Sequence, residues 1–157
     1  MNKKFLEHFF GVKITQRRSG ILRRSRFVIR KRTLERVLKK SLVQKEHYLV
    51  HKAAALILVT ERISHFNTQY NLNFKNISIR NQTTRWGSCS SKGNLSFNYL
   101  IVRLPQHLAD YIVVHELCHL GEFNHSKKFW ELVSRADPDY KKHQIELKKI
   151  RIGELIK

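Results

Sequence analysis

Acidic residues are scarce in this chain: 12 Asp and Glu stand against 31 Lys and Arg, a formal charge of +19 over 157 residues. That imbalance suggests a polyanionic partner such as nucleic acid, the ribosome or an acidic membrane surface; a plain solvated basic face is the alternative. Cysteine occurs only at Cys89 and Cys118, too few for a disulfide framework, so a reduced, cytoplasmic setting is expected. No apolar run is long enough to span a bilayer. Met1–Phe10 is too short and too interrupted for a secretory core, and no small-residue cleavage site follows it. The length suits one compact domain with a real core, and a monomer is expected.

The charge is unevenly spread. Residues 1–45 hold fifteen of the basic residues and only two acids, Glu7 and Glu35. If nucleic acid is the partner, Arg17, Arg18, Arg23, Arg24 and Arg26 are the candidate contacts. Apolar and basic residues alternate in short stretches here, as in Arg26-Phe27-Val28-Ile29-Arg30, so 1–45 reads as a basic N-terminal segment of short strands or a loose arm.

None of the six glycines or two prolines falls between Tyr48 and Tyr70. There Leu49, Ala53, Leu56, Ile57, Thr60 and Ile63 recur at helical spacing, predicting one long amphipathic helix. Alternation predicts strands at 76–80, 84–89 and 94–102, the last two joined by a tight turn at Lys92-Gly93. Pro105 opens a helix expected to reach Leu120, apolar on nearly every side, with Gly121 as its stop. A shorter amphipathic helix follows over 126–135, and Asp137-Pro138 is expected to start a polar one.

The chemistry concentrates in His115-Glu116-Leu117-Cys118-His119. Histidines four apart on a helix project from one face, and together can hold one Zn²⁺. Glu116 lies about 100° round the helix from His115. In the HExxH arrangement this carboxylate is not a ligand but the base that takes a proton from metal-bound water. A catalytic zinc needs three protein ligands and an open position. His125, six residues after His119, is the candidate third ligand, brought back once Gly121 ends the helix. Cys118 reads as a small buried hydrophobe, and Cys89, in the turn-rich strand, as a structural residue. Asp110, Glu122, Glu131 and His143 are spare polar groups that could steady a ligand's outer N–H.

Three blocks resemble the YgjP-like metallopeptidase family, which is related to SprT-like and WLM zinc proteases. They are Thr84-Arg85-Trp86-Gly87-Ser88-Cys89 running on to Asn98, Asp110 through Leu120, and Asn124-His125-Ser126 with Phe129-Trp130. The resemblance implies an α+β, zincin-like catalytic domain over 46–157, with a small antiparallel or mixed sheet packed on the long helix and the HExxH helix. It implies zinc on His115, His119 and His125, Glu116 as catalytic base, and the Arg-Trp-Gly-Ser-Cys strand beside the metal helix. An edge strand there would pair with an extended peptide. Related proteases act on proteins attached to DNA, a setting the basic segment would suit.

Three functions fit these residues. A zinc metallopeptidase would cleave amide bonds in a peptide or protein. A phosphohydrolase could use the same metal residues on nucleotides or nucleic acid. A non-catalytic zinc or nucleic-acid-binding module is the third, although it leaves Glu116 without a purpose. Arg85 and Asn98 are the candidate substrate-binding groups.

Overall fold

The computed structural model describes residues 23–156. The chain divides into two compact units, Met1–Ser41 and Leu42–Lys157. In the first, every described residue is helical, within helix α1 (Arg23–Tyr70). From Arg23 onward, the short strands or loose arm expected of the basic segment are therefore helix. Arg, Lys, Leu and Glu dominate this stretch and no Gly or Pro breaks it, so helix propensity outweighs a five-residue alternation. The remainder of the basic segment, Arg17 and Arg18 included, lies outside the described residues.

The second unit has a mixed three-stranded sheet in the order β1-β3-β2, with β1 at Asn76–Arg80, β2 at Gly87–Cys89 and β3 at Asn94–Asn98. Central β3 runs parallel to β1 and antiparallel to β2. Ile77 pairs with Leu95 and Ile79 with Phe97, setting apolar side chains side by side on one face; on the other, the Ser78 and Ser96 hydroxyls meet at 2.9 Å. Burying Leu95 and Phe97 completely stabilises the unit by roughly 1.5–3 kcal/mol each. The β2–β3 turn closes through the Gly93 N–H to the Ser90 carbonyl, with Gly93 at φ 77°, which favours glycine.

β3 stops at Asn98, four residues before the expected end. The Asn98 side chain accepts the Leu100 N–H and starts a 3-10 turn over Tyr99–Arg103. Tyr-Leu-Ile-Val has strong strand propensity, but a cap and burial of Tyr99, Leu100 and Ile101 decide otherwise. Helix α2 (Gln106–Cys118) follows Pro105, with its apolar residues buried on all sides. It ends two residues before Leu120, where the N–H groups of Gly121 and Glu122 both donate to the Cys118 carbonyl. Gly121 does not have the left-handed backbone of a glycine stop. A Cβ there would meet Leu132 at 3.4 Å and Leu72 at 3.6 Å, ordinary contact distances, so space does not demand a glycine either.

Helix α3 (Lys127–Ala136) begins at Ser126, whose hydroxyl accepts the Phe129 N–H. Helix α4 (Tyr140–Lys149) starts later than Asp137-Pro138 suggested. Asp137 instead closes α3 through its N–H and accepts the His143 Nδ1–H at 2.8 Å.

α1 meets this core through Ala55, Val59, Ile63 and Phe66, all buried. The expected stripe fails except at Ile63: Leu49, Leu56 and Ile57 are exposed. Ala53 to Val59 is apolar right round the helix, so periodicity alone could not choose the covered side. Arg62 on the same helix grips Asp110 of α2 with two N–H groups, at 2.6 and 2.9 Å. This fork is half-buried, and its loss strands a carboxylate that only Gln106 then contacts. Arg62→Ala should cost about 1–3 kcal/mol and lower the melting temperature by several degrees. Thermal denaturation followed by circular dichroism checks this, and an unchanged melting curve would show the fork to be idle.

Candidate active site

α2 carries His115 and Glu116 in its last turn, and His119 is its cap residue, still in helical backbone geometry. The His115 and His119 rings therefore stack up one face, 4.8 Å apart. The Glu122–Asn124 loop then reverses the chain, and Ser126 donates its N–H to the Asn124 carbonyl just before α3 begins. This delivers His125 to within 5.0 Å of the His115 ring and 4.8 Å of the His119 ring. One ligand atom from each histidine falls within 4.8 Å of the others. The Nε2 atoms of His115 and His125 are 3.1 Å apart, close to the roughly 3.4 Å nitrogen–nitrogen edge of a tetrahedral zinc site.

Burial disfavours the protonated form of two of these rings. Burial, and then the neighbouring His119 and His125, push His115 down to about 3. Burial also lowers His119. Neutral imidazole is the ligating form. His119 donates Nδ1–H to the Glu122 carbonyl at 3.1 Å, leaving its Nε2 lone pair for a metal. Among the described residues the buried Nδ1 of His115 has no hydrogen-bond partner, while its Nε2 faces His125. Three converging imidazoles fit a divalent cation such as zinc.

Helix α3 orients the rings. Phe129, fully buried, stacks on His119 at 4.5 Å, and Trp130 stacks on His125 at 5.6 Å. Tyr140 from α4 stacks behind Trp130 at 5.0 Å.

Glu116 lies outside the histidine triad and only 7% exposed. Burial pushes its carboxyl up to about 8, although the Arg85 charge pulls the other way. Strand β2 leaves just enough room for it. A Cβ on Gly87 would stand 2.6 Å from Glu116 Cγ and 2.7 Å from Oε1. Glycine is the residue that lets strand backbone and carboxylate meet, a role missed in the sequence. A glycine inside a strand signals such close approach.

The other candidates divide. Arg85 is exposed and acts electrostatically on Glu116. Asn98 is fully buried; its amide donates to the Gln82 and Arg85 carbonyls at 2.7 and 3.2 Å, so it anchors the loop carrying Arg85 from beneath. Asp110 is engaged with Arg62, His143 with Asp137, and the exposed Glu131 lies 3.9 Å from Lys127. Of the four spare groups only Glu122 touches a ligand, and through its carbonyl rather than its carboxylate. Cys118 is buried beside the Tyr70 hydroxyl, with its thiol pushed up to about 11 by burial. Cys89 is likewise raised to about 11, by burial and then by Glu116. Arg23, Arg24 and Arg26 lie on α1.

Residues 4–150 match the YgjP-like metallopeptidase domain. The chain belongs to the YgjP-like metallopeptidase family. It is thus a hydrolase of the peptidase type, with the α+β fold expected from its sequence. Among solved structures it is similar to the metallopeptidase zymogen abylysin of Pyrococcus abyssi, at 22% identity and a TM-score of 0.53 over 58% of this chain and 92% of that one. The zymogen jannalysin of Methanocaldococcus jannaschii is similar at 22% identity and TM-score 0.51, over 58% and 94%. No curated protein matches. Among the described residues no helix is long and apolar enough to cross a membrane.

The Gly87 contact makes a sharp prediction for this YgjP-like enzyme. In Gly87→Ala the new methyl must displace the Glu116 carboxylate, while the histidines are untouched. Peptide hydrolysis should fall at least roughly tenfold with metal content unchanged, since a displaced general base forfeits part of its 10²–10⁴-fold contribution. Activity equal to wild type in a folded, metal-replete variant would remove the contact from the account.

Proposed function

We propose that this chain is a zinc-dependent peptidase that hydrolyses amide bonds in peptides or proteins, with Glu116 as general base. The observation that carries the proposal is the Glu116 carboxylate, seated on Gly87 beside the three histidines and outside their ligand set. His115, His119 and His125 would hold the zinc. When bound there, zinc supplies a Lewis acid that makes water nucleophilic near neutral pH and polarises the scissile carbonyl.

Glu116 accepts a proton from the attacking water and delivers it to the leaving amine nitrogen. A buried carboxyl with raised affinity for protons suits that relay, because it can hold the proton between its two transfers. Arg85 limits the rise and keeps the base available. β2 is an edge strand of the sheet and lies against α2. Its open side offers main-chain hydrogen bonds to an extended peptide passing the metal residues. A phosphohydrolase would share the histidines, but family membership favours the peptidase. A purely structural metal would not account for a carboxylate held at such close quarters.

Glu116→Gln tests the assignment with little change of shape. Zinc should stay near one equivalent by elemental analysis, while hydrolysis of a peptide library drops by at least about 100-fold. Hydrolysis persisting at the wild-type rate would deny Glu116 the role of base.

A further inference from the structure

A cavity of about 500 Å³ lies outside the metal triad, with Trp86, Tyr111, Leu147 and Ile152 among its walls. It borders the catalytic centre on two sides. Tyr111 sits one turn before His115 on α2, with ring centroids 5.8 Å apart. Trp86 immediately precedes Gly87, the residue against Glu116. The volume is that of a pocket taking one or two residues of a peptide.

Its charge is one-sided. Lys148 and Arg151 line the cavity and no Asp or Glu does. Neither cation joins an ion pair among the described residues. Gln144, Thr83 and Thr84 also line it, adding neutral polar groups between the apolar walls.

We infer that this pocket selects a carboxylate-bearing substrate residue next to the scissile bond, through Lys148 and Arg151. The inference rests on the peptidase reading. Apolar walls accept the methylene stem of a glutamate while its carboxylate meets the two cations. A free C-terminal carboxylate presents the same chemistry. Lysine or arginine at that position meets like charge and is rejected.

Full-length, zinc-loaded protein is given a peptide library with amidated C-termini and acids at internal positions. A matching acid-free set has free C-termini. Mass spectrometry of the products identifies the cleaved bonds. Glutamate at one fixed position beside the bond should be favored over glutamine roughly tenfold; if the preference falls on the free-terminus set, the carboxylate recognised is the terminal one. Lys148→Glu combined with Arg151→Glu should abolish the preference or turn it toward lysine. Efficient cleavage with no carboxylate preference in either set overturns the pocket.

A second measurement does not depend on turnover. The Trp86 indole resonance of the zinc-loaded Glu116→Gln protein is titrated by NMR with amidated glutamyl and glutaminyl tripeptides. The glutamyl peptide should bind roughly tenfold more tightly, and the double variant should lose the difference. Equal affinities overturn the pocket. A glutamyl preference in a protein whose wild type hydrolyses no peptide would keep the pocket and overturn the peptidase reading instead.

Discussion

Ionisable side chains crowded into the last turn of an apolar helix impose the constraint around which this unit is organised. α2 is buried along nearly its whole length, and His115, Glu116 and His119 sit where it ends. Removing such groups from water disfavours their charged forms, which is why the imidazoles are pushed down and the carboxyl up. Three imidazoles converge there, with one ring nitrogen of each within 4.8 Å of the others. Under the proposed function a shared cation would make them a coordination set, and Glu116 would take the proton from water.

The surrounding elements each answer to that arrangement. Ser126 starts α3 just after His125, so the first turn of that helix brings Phe129 and Trp130 under the rings. Gly87 thins the edge strand at the one place where the carboxylate must pass. Asn98 fastens the loop before β2 to the end of β3, holding Arg85 and Trp86 beside the centre. Arg62 ties α2 to α1 through Asp110. Positioning to within fractions of an ångström depends on such support rather than on the ligands alone.

Much of the site was legible because helix periodicity is geometry: residues 115 and 119 must share a face, and residue 116 must lie beside it. His125 was legible for the same reason, since a ligand from outside that face needs a chain reversal. The strand β1, the β2–β3 turn and the apolar character of α2 were readable from local pattern. What could not be read depended on tertiary choice. The apolar ring at Ala53–Val59 offered several faces, and only packing selected Ala55, Val59 and Ile63. Tyr99–Val102 looked like strand until the Asn98 side chain turned it. Glu122 contributes through a backbone carbonyl, which no residue pattern identifies.

The central claim is that the three histidines hold one catalytic metal and that Glu116 does not ligate it. A crystal structure of the zinc-loaded protein, with anomalous data at the zinc edge, tests this most directly. The account predicts one strong peak about 2.0–2.1 Å from a nitrogen of His115, His119 and His125, with the Glu116 carboxylate outside bonding distance and packed on Gly87. A peak elsewhere, or one ligated by the Glu116 carboxylate, would contradict it.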